Sequence, residues 1–539
     1  MAEPLVAGGL LDARALRDAL TRRLGRRVSV SGPAGELLVE VSGGELAPAV
    51  EAMLGLGARH VMALGLETPG ERRGILHRGG PLPDGRRPGG RRPDGRAVEE
   101  VMSVAGGPVV RLRASVPGEA APTYPSLTPL VPAAQWDERE IRDVFGIVPA
   151  GHPDLRPLVN HLPDPVSGRR YRPFVAHGDG VNQVPVGPIH AGIIEPGHFR
   201  FSAIGESVLY LDARLFYTHR GLERLVEGRT FASALPIVER ACGVCTVSHA
   251  TIYSQAVERL TAGEIPPRAR LARVLLAELE RLYNHVGDLG NICAGVGFHF
   301  GVSRLGWEKE RLLRLNEALT GHRYLTGIVA PGGLRFDLDA EALAGLGAAV
   351  KEIEHEVRSV VRLLVRSEGF MTRLHGTGVL SPAEARRLGA VGVAARASGL
   401  ADDLRRDRPA GGYSDLTVEV SGAAAGDAAA RFHVRAMEIA VSAAIVRDVA
   451  ARLPGGPIRA PLGHAPKAGD STVAAAEGPR GASWLWLMAG RDGRIARLHL
   501  RSASFANWPV VASVVPGNLV PDFPLINKSF ELCYACTDR

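Results

Sequence analysis

Four of the five cysteines in this 539-residue chain fall into two Cys-x-x-Cys pairs, Cys242/Cys245 and Cys533/Cys536. Thiolates are soft ligands, and four of them suit a transition metal. The first pair lies in Glu239-Arg-Ala-Cys-Gly-Val-Cys-Thr-Val-Ser-His249. Gly243 stands between the two cysteines, and glycine takes backbone angles that let both sulfurs turn towards one point. Other readings stay open at this stage. A zinc ribbon places its pairs about 15–20 residues apart, whereas closure here would join the middle of the chain to its last seven residues. A thioredoxin-like site needs one pair beside a βαβ pattern, and here there are two, with His249 four residues past the first. Two unrelated structural pairs would make the matched spacing a coincidence. The fifth cysteine, Cys293, sits in an apolar run of small residues and reads as a small buried hydrophobe.

Two further residues have the chemistry to work beside a metal. Glu195 lies in Gly187-Pro-Ile-His190-Ala-Gly-Ile-Ile-Glu195-Pro-Gly-His198, where glycines and prolines fix turns. A carboxyl group near a metal-bound sulfur can relay protons when burial raises its pKa; on its own it reads as a surface carboxylate in a turn. Arg480 lies in Glu477-Gly-Pro-Arg-Gly481. Its guanidinium stays protonated and offers five donors; a lone arginine commonly pairs with a surface carboxylate.

The motif Arg240-x-Cys-Gly-x-Cys-x-x-x-His249, with Cys533-x-x-Cys536-x-x-Arg539 at the other end, resembles the large subunit of nickel–iron hydrogenases. The flanking sequence is similar to the energy-converting, membrane-associated branch of formate-hydrogenlyase and hydrogenase-4 type, which is homologous to complex I. Trp136-Asp-Glu-Arg-Glu-Ile-Arg-Asp-Val-Phe-Gly-Ile147 and Gly151-His-Pro-Asp-Leu-Arg156 resemble the complex I C subunit. Leu315–His322, Ala330–Arg335 and Arg396-Ala-Ser-Gly-Leu400 match phrases shared by complex I D subunits and these hydrogenases.

That resemblance implies a nickel–iron centre on Cys242, Cys245, Cys533 and Cys536. Cys242 and Cys533 would be terminal on nickel, and Cys245 and Cys536 would bridge nickel and iron. Iron would carry diatomic ligands made by dedicated maturation proteins. Dihydrogen would be cleaved heterolytically or formed, with Cys533 and then Glu195 carrying the proton and Arg480 standing above the metal pair. His249 would hydrogen-bond the thiolate shell. His190 matches a loop that contacts quinone in complex I and reads here as a supporting residue. Relatives ending in His hold a magnesium or similar ion between that residue and a glutamate about 28 positions after the relay glutamate. The count lands on Glu223, and Arg539 occupies the terminal place, so an Arg539–Glu223 ion pair is expected instead of the ion. Such hydrogenases are commonly made with a tail that is cut off at this place. Glu531-Leu532 stands where Asp-Pro usually precedes the third cysteine, and losing proline's fixed φ loosens a turn.

Four of five cysteines are used by that centre, and the one left, Cys293, is too few for an iron–sulfur cluster within the chain. An iron–sulfur small subunit must take the electrons, and ferredoxin-like and ion-translocating membrane subunits are implied with it. The rival reading is a complex I-like NADH/quinone oxidoreductase subunit that binds quinone without a metal, and a third is a non-catalytic scaffold.

The rest of the chain must position these groups. Its length suggests several domains at about 150 residues each. Hydrophobic residues make up 45% and charged ones 22%, a globular composition. The net charge of +7 is weak grounds for nucleic acid, because eight arginines crowd Glu71–Arg96, a Gly/Pro-rich stretch that reads as a solvated loop or a partner-docking insertion. No apolar run reaches 18 residues and no signal peptide opens the chain. Reduced thiols fit the cytoplasm, and by resemblance the assembly sits on the cytoplasmic face of the membrane. The expected fold is α+β: a small α/β domain over 1–156, a linker over 157–180, and a mainly helical domain over 181–539 with a small strand region. Helices are expected over Leu11–Leu24 (with Asp12 as cap), Leu46–Leu56, Phe231–Leu260, Glu308–Gly321, Leu343–Met371 and Ala428–Leu453, with a new one from Pro266/Pro267. Strands are expected over Val28–Val30, Leu37–Val41, Val109–Val116, Trp484–Leu487 and Ile495–Arg501, with Phe505–Pro509 as a corner of that last strand region. Ile141, Val144 and Phe145 mark an apolar face, with charges opposite, on a short helix.

Overall fold

The computed structural model describes residues 13–24, 36–67, 95–104, 106–116, 122–161, 171–190 and 194–539. Asp12, Val28–Val30, nearly all of the Arg-rich stretch and part of the expected linker lie outside these residues. The chain divides into two compact units: Met1–Pro173 with Leu215–Tyr217, and Phe174–Arg214 with Thr218–Arg539.

In the first unit, helices α1 (Ala13–Leu24) and α2 (Leu46–Leu54) accompany strands β1 (Leu37–Ser42), β2 (Arg59–Glu67), β3 (Arg96–Ser103) and β4 (Val109–Val116). The sheet order is β1-β4-β3-β2; β1 and β4 run parallel and the other pairs antiparallel. Helix α3 (Gln135–Phe145) packs on β2, flanked by the short parallel pair β5 (Thr123–Pro125) and β6 (Val148–Ala150). A Cβ at Gly65 would meet the Phe145 ring at 2.5 Å, so only glycine lets this helix seat. The expected amphipathic division of α3 needs correction. Val144 is exposed, while Asp137, Glu138, Arg139, Glu140, Arg142 and Asp143 are buried. The burial is tolerated because the charges are partnered. Glu138 accepts from Ser126 Oγ and the Leu127 and Thr128 N–H groups, Asp143 from the Leu158 and Val159 N–H groups, and Arg139 donates to the Arg156 carbonyl.

The second unit opens with an antiparallel meander, β7 (Val181–Val186), β8 (His198–Ile204) and β9 (Ser207–Arg214). Helices α4 (Leu222–Val226) and α5 (Phe231–Glu239) lead to the first cysteine loop, which breaks the long helix expected there, and α6 (Thr246–Thr261) follows it. Pro267 occupies the first turn of α7 (Pro267–Gly295), as proline's missing N–H permits. Next come α8 (His299–Thr320), the two-residue strands β10 (Val329–Ala330) and β11 (Gly333–Leu334), α9 (Ala340–Arg366) and the short helices α10 (Glu368–Leu374), α11 (Pro382–Arg387), α12 (Gly392–Arg396) and α13 (Leu404–Asp407). Helix α14 (Ala428–Arg452) precedes the antiparallel sheet β12 (Ser471–Gly478), β13 (Gly481–Ala489) and β14 (Ile495–Arg501). The chain closes with α15 (Ala503–Val514), α16 (Phe523–Phe530) and α17 (Tyr534–Asp538).

Phe505–Pro509 is therefore helix and not a strand corner. The Ser502 hydroxyl caps it by accepting from the Phe505 N–H, which starts a helix despite the aromatic, strand-like composition. At the centre, α7 packs against α8, α14 and α16, and α6 packs on β12 and β13. Helix α7 is buried nearly all round, charges included. Those charges are paired, Arg273 with Glu258 at 2.6 Å and Glu278 with Arg405 at 3.2 Å, and the His285 ring is hydrogen-bonded to Glu438 at 2.8 Å. Buried pairs of this kind cost several kcal/mol when one partner is lost.

Candidate metal centre

The two cysteine pairs, 291 residues apart, meet inside the second unit. Cys242 lies within the loop after α5, Cys245 ends that loop as the N-cap of α6, Cys533 is the N-cap of α17, and Cys536 lies within α17. The Cys533 thiol donates to Cys242 Sγ at 3.2 Å, and the sulfurs of Cys242, Cys533 and Cys536 all lie within 4.8 Å of one another. Cys245 joins the same cluster. Thiol donors from Cys245, Cys533 and Cys536 hold Cys242 well below the usual thiol range. The hydrogen bond to Cys242 pushes Cys245 and Cys533 well above it, and burial does the same for Cys536. Four thiolates at such range need a cation, so the donor set fits a soft transition metal. Cys293 stays apart, its sulfur packed against Gly301 and its pKa pushed up to about 12 by burial.

Glu195 approaches from the loop before β8. One carboxylate oxygen accepts from the Ala535 N–H at 2.9 Å and lies 4.0 Å from Cys533 Sγ. Burial raises its pKa, opposed by that N–H and reinforced by Cys242 and Asp538. Fully buried His249 places Nε2 3.9 Å from Cys536 Sγ, so its reach is to the second pair although it follows the first. Burial lowers its pKa, which keeps the ring neutral. His190 packs edge-on against Phe199, and its buried Nε2 has no hydrogen-bond partner among the described residues. Phe199, Trp508 and Tyr534 form an aromatic cluster behind the second cysteine pair.

Arg480 sits in the tight turn between β12 and β13. Its Nε donates to the Glu531 carbonyl at 2.8 Å, and its two terminal nitrogens to Asn284 Oδ1 at 2.5 Å and Asp288 at 3.3 Å. Gly392 and Gly481 admit this turn: a Cβ at Gly392 would lie 2.2 Å from the Arg480 carbonyl oxygen, and both glycines have left-handed φ. A cavity of about 10 Å³ is lined by Cys245, His249, Arg480 and Cys536 among others. On the other side Arg480 borders a cavity of about 360 Å³ with Asp288, Lys309 and Glu531. Glu531, at left-handed φ of 53°, is pushed up to about 8 by burial.

Glu223 and Arg539 pair at 3.0 Å. Glu223 also takes Arg497 at 2.8 Å, His499 and the Leu500 N–H, and the Arg539 guanidinium lies 4.7 Å over the Phe505 ring. Sequence reasoning passed over two groups here. Arg220 donates to the Ala241 carbonyl at 2.7 Å and the Ala535 carbonyl at 3.0 Å, tying the two cysteine segments together. Its neighbours grip α17 as well: Thr218 donates to the Asp538 carboxylate, and the Arg220 and Gly221 N–H groups to the Arg539 carbonyl. The second group is the polar face of α7 around Glu280, Asn284 and Asp288, whose apolar periodicity drew attention to the opposite face.

With this geometry, comparison with known proteins places the chain. The family described as respiratory-chain NADH dehydrogenase, 30 Kd subunit, matches residues 90–173, and the 49 Kd subunit family matches 297–468 and 462–539. Nickel-dependent hydrogenase matches 220–289, the segment holding the first cysteine pair. The class is thus a fusion of two complex I-type parts carrying a hydrogenase signature. Formate hydrogenlyase subunit 5 of Escherichia coli (strain K12) is 36% identical over 466 residues, covering 82% of each chain. Hydrogenase-4 component G of the same organism is 34% identical, covering 77% of this chain and 76% of its own. Membrane-bound hydrogenase subunit alpha of Pyrococcus furiosus is 30% identical, covering 66% and 87%. The chain belongs to this family of complex I-related, energy-converting hydrogenase large subunits. Among the described residues no helix is long and apolar enough to cross a membrane.

Proposed function

We propose that this chain is the catalytic large subunit of a nickel–iron hydrogenase, with Cys242, Cys245, Cys533 and Cys536 as the ligands of its centre. The convergence of four thiols from distant segments carries the reading. When bound, the metal pair supplies the Lewis acidity and redox change that allow dihydrogen to be cleaved heterolytically or formed. The chain's own residues then manage protons and charge. Cys533 and Glu195 are close enough, at 4.0 Å, for a proton to pass between thiol and carboxylate with little movement. Burial raises the Glu195 carboxyl, so it takes up and releases protons nearer neutral pH than an ordinary glutamate. Its exposed edge gives the proton a way out. Arg480, fixed by three partners, presents a permanent positive charge to the small cavity beside the thiols. The neutral His249 ring steadies Cys536.

Electrons leave through an iron–sulfur partner subunit, since Cys293 alone cannot hold a cluster. The relatives' names, formate hydrogenlyase and membrane-bound hydrogenase, fit an assembly with ferredoxin-like and ion-translocating membrane subunits on the cytoplasmic face of the membrane. Where the resemblance puts a magnesium-type ion in relatives ending in His, Arg539 serves Glu223, the ion pair expected for this chain. A quinone-binding subunit without metal would leave four clustered thiols without a role. The test is dihydrogen-dependent reduction of methyl viologen by the purified complex. Parent complex should reduce the dye and a Cys533→Ser complex should not. Equal rates in the two would overturn the assignment.

A further inference from the structure

Helix α7 presents Glu280, Tyr283 and Asn284 at the i, i+3, i+4 spacing that puts three side chains on one face. All three reach the backbone on either side of Cys245. Tyr283 Oη and Asn284 Nδ2 donate to the Val244 carbonyl at 2.9 and 2.8 Å. Glu280, fully buried, accepts from the Val247 N–H at 2.7 Å through one oxygen, and from the Ser248 N–H at 3.0 Å and the Ser248 hydroxyl through the other.

Val247 and Ser248 belong to the first turn of α6. A helix leaves its first N–H groups without intrahelical partners. Ordinarily the N-cap side chain answers one of them. Here the N-cap is Cys245, which makes no such bond because its sulfur lies in the thiol cluster. The first turn carries no acidic residue either. A residue committed to the cluster cannot also cap its own helix, so a carboxylate from another helix takes the task.

We propose that Glu280 is a positioning residue for the metal centre: by capping α6 from α7 it fixes how Cys245 is presented to the other three thiols. Through the same helix it sets His249, whose N–H bonds to the Cys245 carbonyl at 3.1 Å. The next residue, Arg281, donates to the Glu477 and Gly478 carbonyls at 2.7 and 3.0 Å, just before Arg480. Adjacent positions on α7 thus hold the cysteine helix and the arginine turn. The inference rests on the metal-centre reading above.

Two variants of the intact hydrogenase complex test it. Glu280→Gln keeps the shape but has one acceptor oxygen, so its NH₂ must face a backbone N–H. Ser248→Ala keeps Glu280 and removes one donor. Hydrogen exchange at Val247 and Ser248, nickel content, the nickel paramagnetic resonance signature, and kcat and KM for dihydrogen are read for each. The proposal expects E280Q to speed exchange at those two amides at least tenfold. It also expects a shifted nickel signature and a kcat at least tenfold lower, with KM within twofold of the parent. S248A should shift the same readouts in the same direction by less, and it carries the test where E280Q does not accumulate. A folded E280Q complex that has lost nickel while S248A keeps it also supports the proposal. A nickel-loaded variant with parental exchange and parental signature overturns it. A parent complex without nickel overturns the metal reading and this inference with it.

Discussion

Replacing Arg539 and replacing Glu223 should not have equal effects, although the two side chains form one ion pair. In Arg539→Ala, Glu223 loses the 3.0 Å contact but keeps Arg497 at 2.8 Å, His499 and the Leu500 N–H. The substitution removes the guanidinium's hydrogen bonds to Glu223, the Leu500 carbonyl and the Thr537 carbonyl, about 2 kcal/mol for each well-formed one, with up to about 1 kcal/mol more for the contact over Phe505, but it leaves Glu223 with a counter-charge in Arg497. In Glu223→Ala, the buried guanidinium groups of Arg497 and Arg539 both lose their shared carboxylate. Removing the carboxylate from one buried charge costs about 3–5 kcal/mol, and here two guanidinium groups lose it and fall back on the carbonyls of Leu498, Leu500 and Thr537. E223A should therefore lower the melting temperature of the purified complex further than R539A. Because both substitutions act on one network, the double variant should be less damaging than the sum of the singles. Nickel occupancy should follow the same order, since Arg539 ends the segment bearing Cys533 and Cys536. R539A as damaging as E223A, or R539A indistinguishable from the parent in both readouts, would refute this reasoning.

Three other outcomes are expected. Gly392→Ala should displace the Arg480 turn, because a Cβ there meets the Arg480 carbonyl oxygen at 2.2 Å on a left-handed residue. Activity should fall at least tenfold while nickel stays bound, and a fully active variant would count against the tight approach. Glu195→Gln should keep the parental metal content and lose most dihydrogen turnover; an active variant would remove Glu195 from the proton route. In the first unit, burial alone would lower the pKa of His60, but Glu100, 2.6 Å away, and Asp137 outweigh it and raise it to about 9. A raised folded pKa means the stabilisation is complete below about 6.5 and is lost as pH rises through about 9. Unfolding monitored from pH 6 to 10 should show this loss, and His60→Gln should flatten the profile.

Much of the centre is legible in the sequence because its parts have unusual types at tight spacings. Cysteine pairs 291 residues apart stand out in a chain with so few cysteines, and thiols have few other reasons to cluster. Glu195 and Arg480 carry no such signal alone and become visible only within their glycine- and proline-bounded motifs. What stayed hidden depends on three-dimensional partners. Glu280, Asn284 and Asp288 share α7 with a strong apolar period, and nothing in that period reveals that the polar face is buried too. Arg220 reads as one more arginine until Ala241 and Ala535 meet beside it. The charges of α3 look solvated until the loops that donate to them are in place. Phe505–Pro509 misleads in the opposite way: strand-like residues follow a serine cap, and the cap together with burial decides for helix.

The central claim is that four cysteines hold nickel and iron. Its most direct measurement is metal quantification of the purified complex, parent beside a Cys242→Ser variant. The account predicts close to one nickel per chain in the parent, iron beyond that of the partner's clusters, and loss of nickel in the variant. A parent complex containing zinc alone or no metal at this centre, or a variant with undiminished nickel, would contradict it.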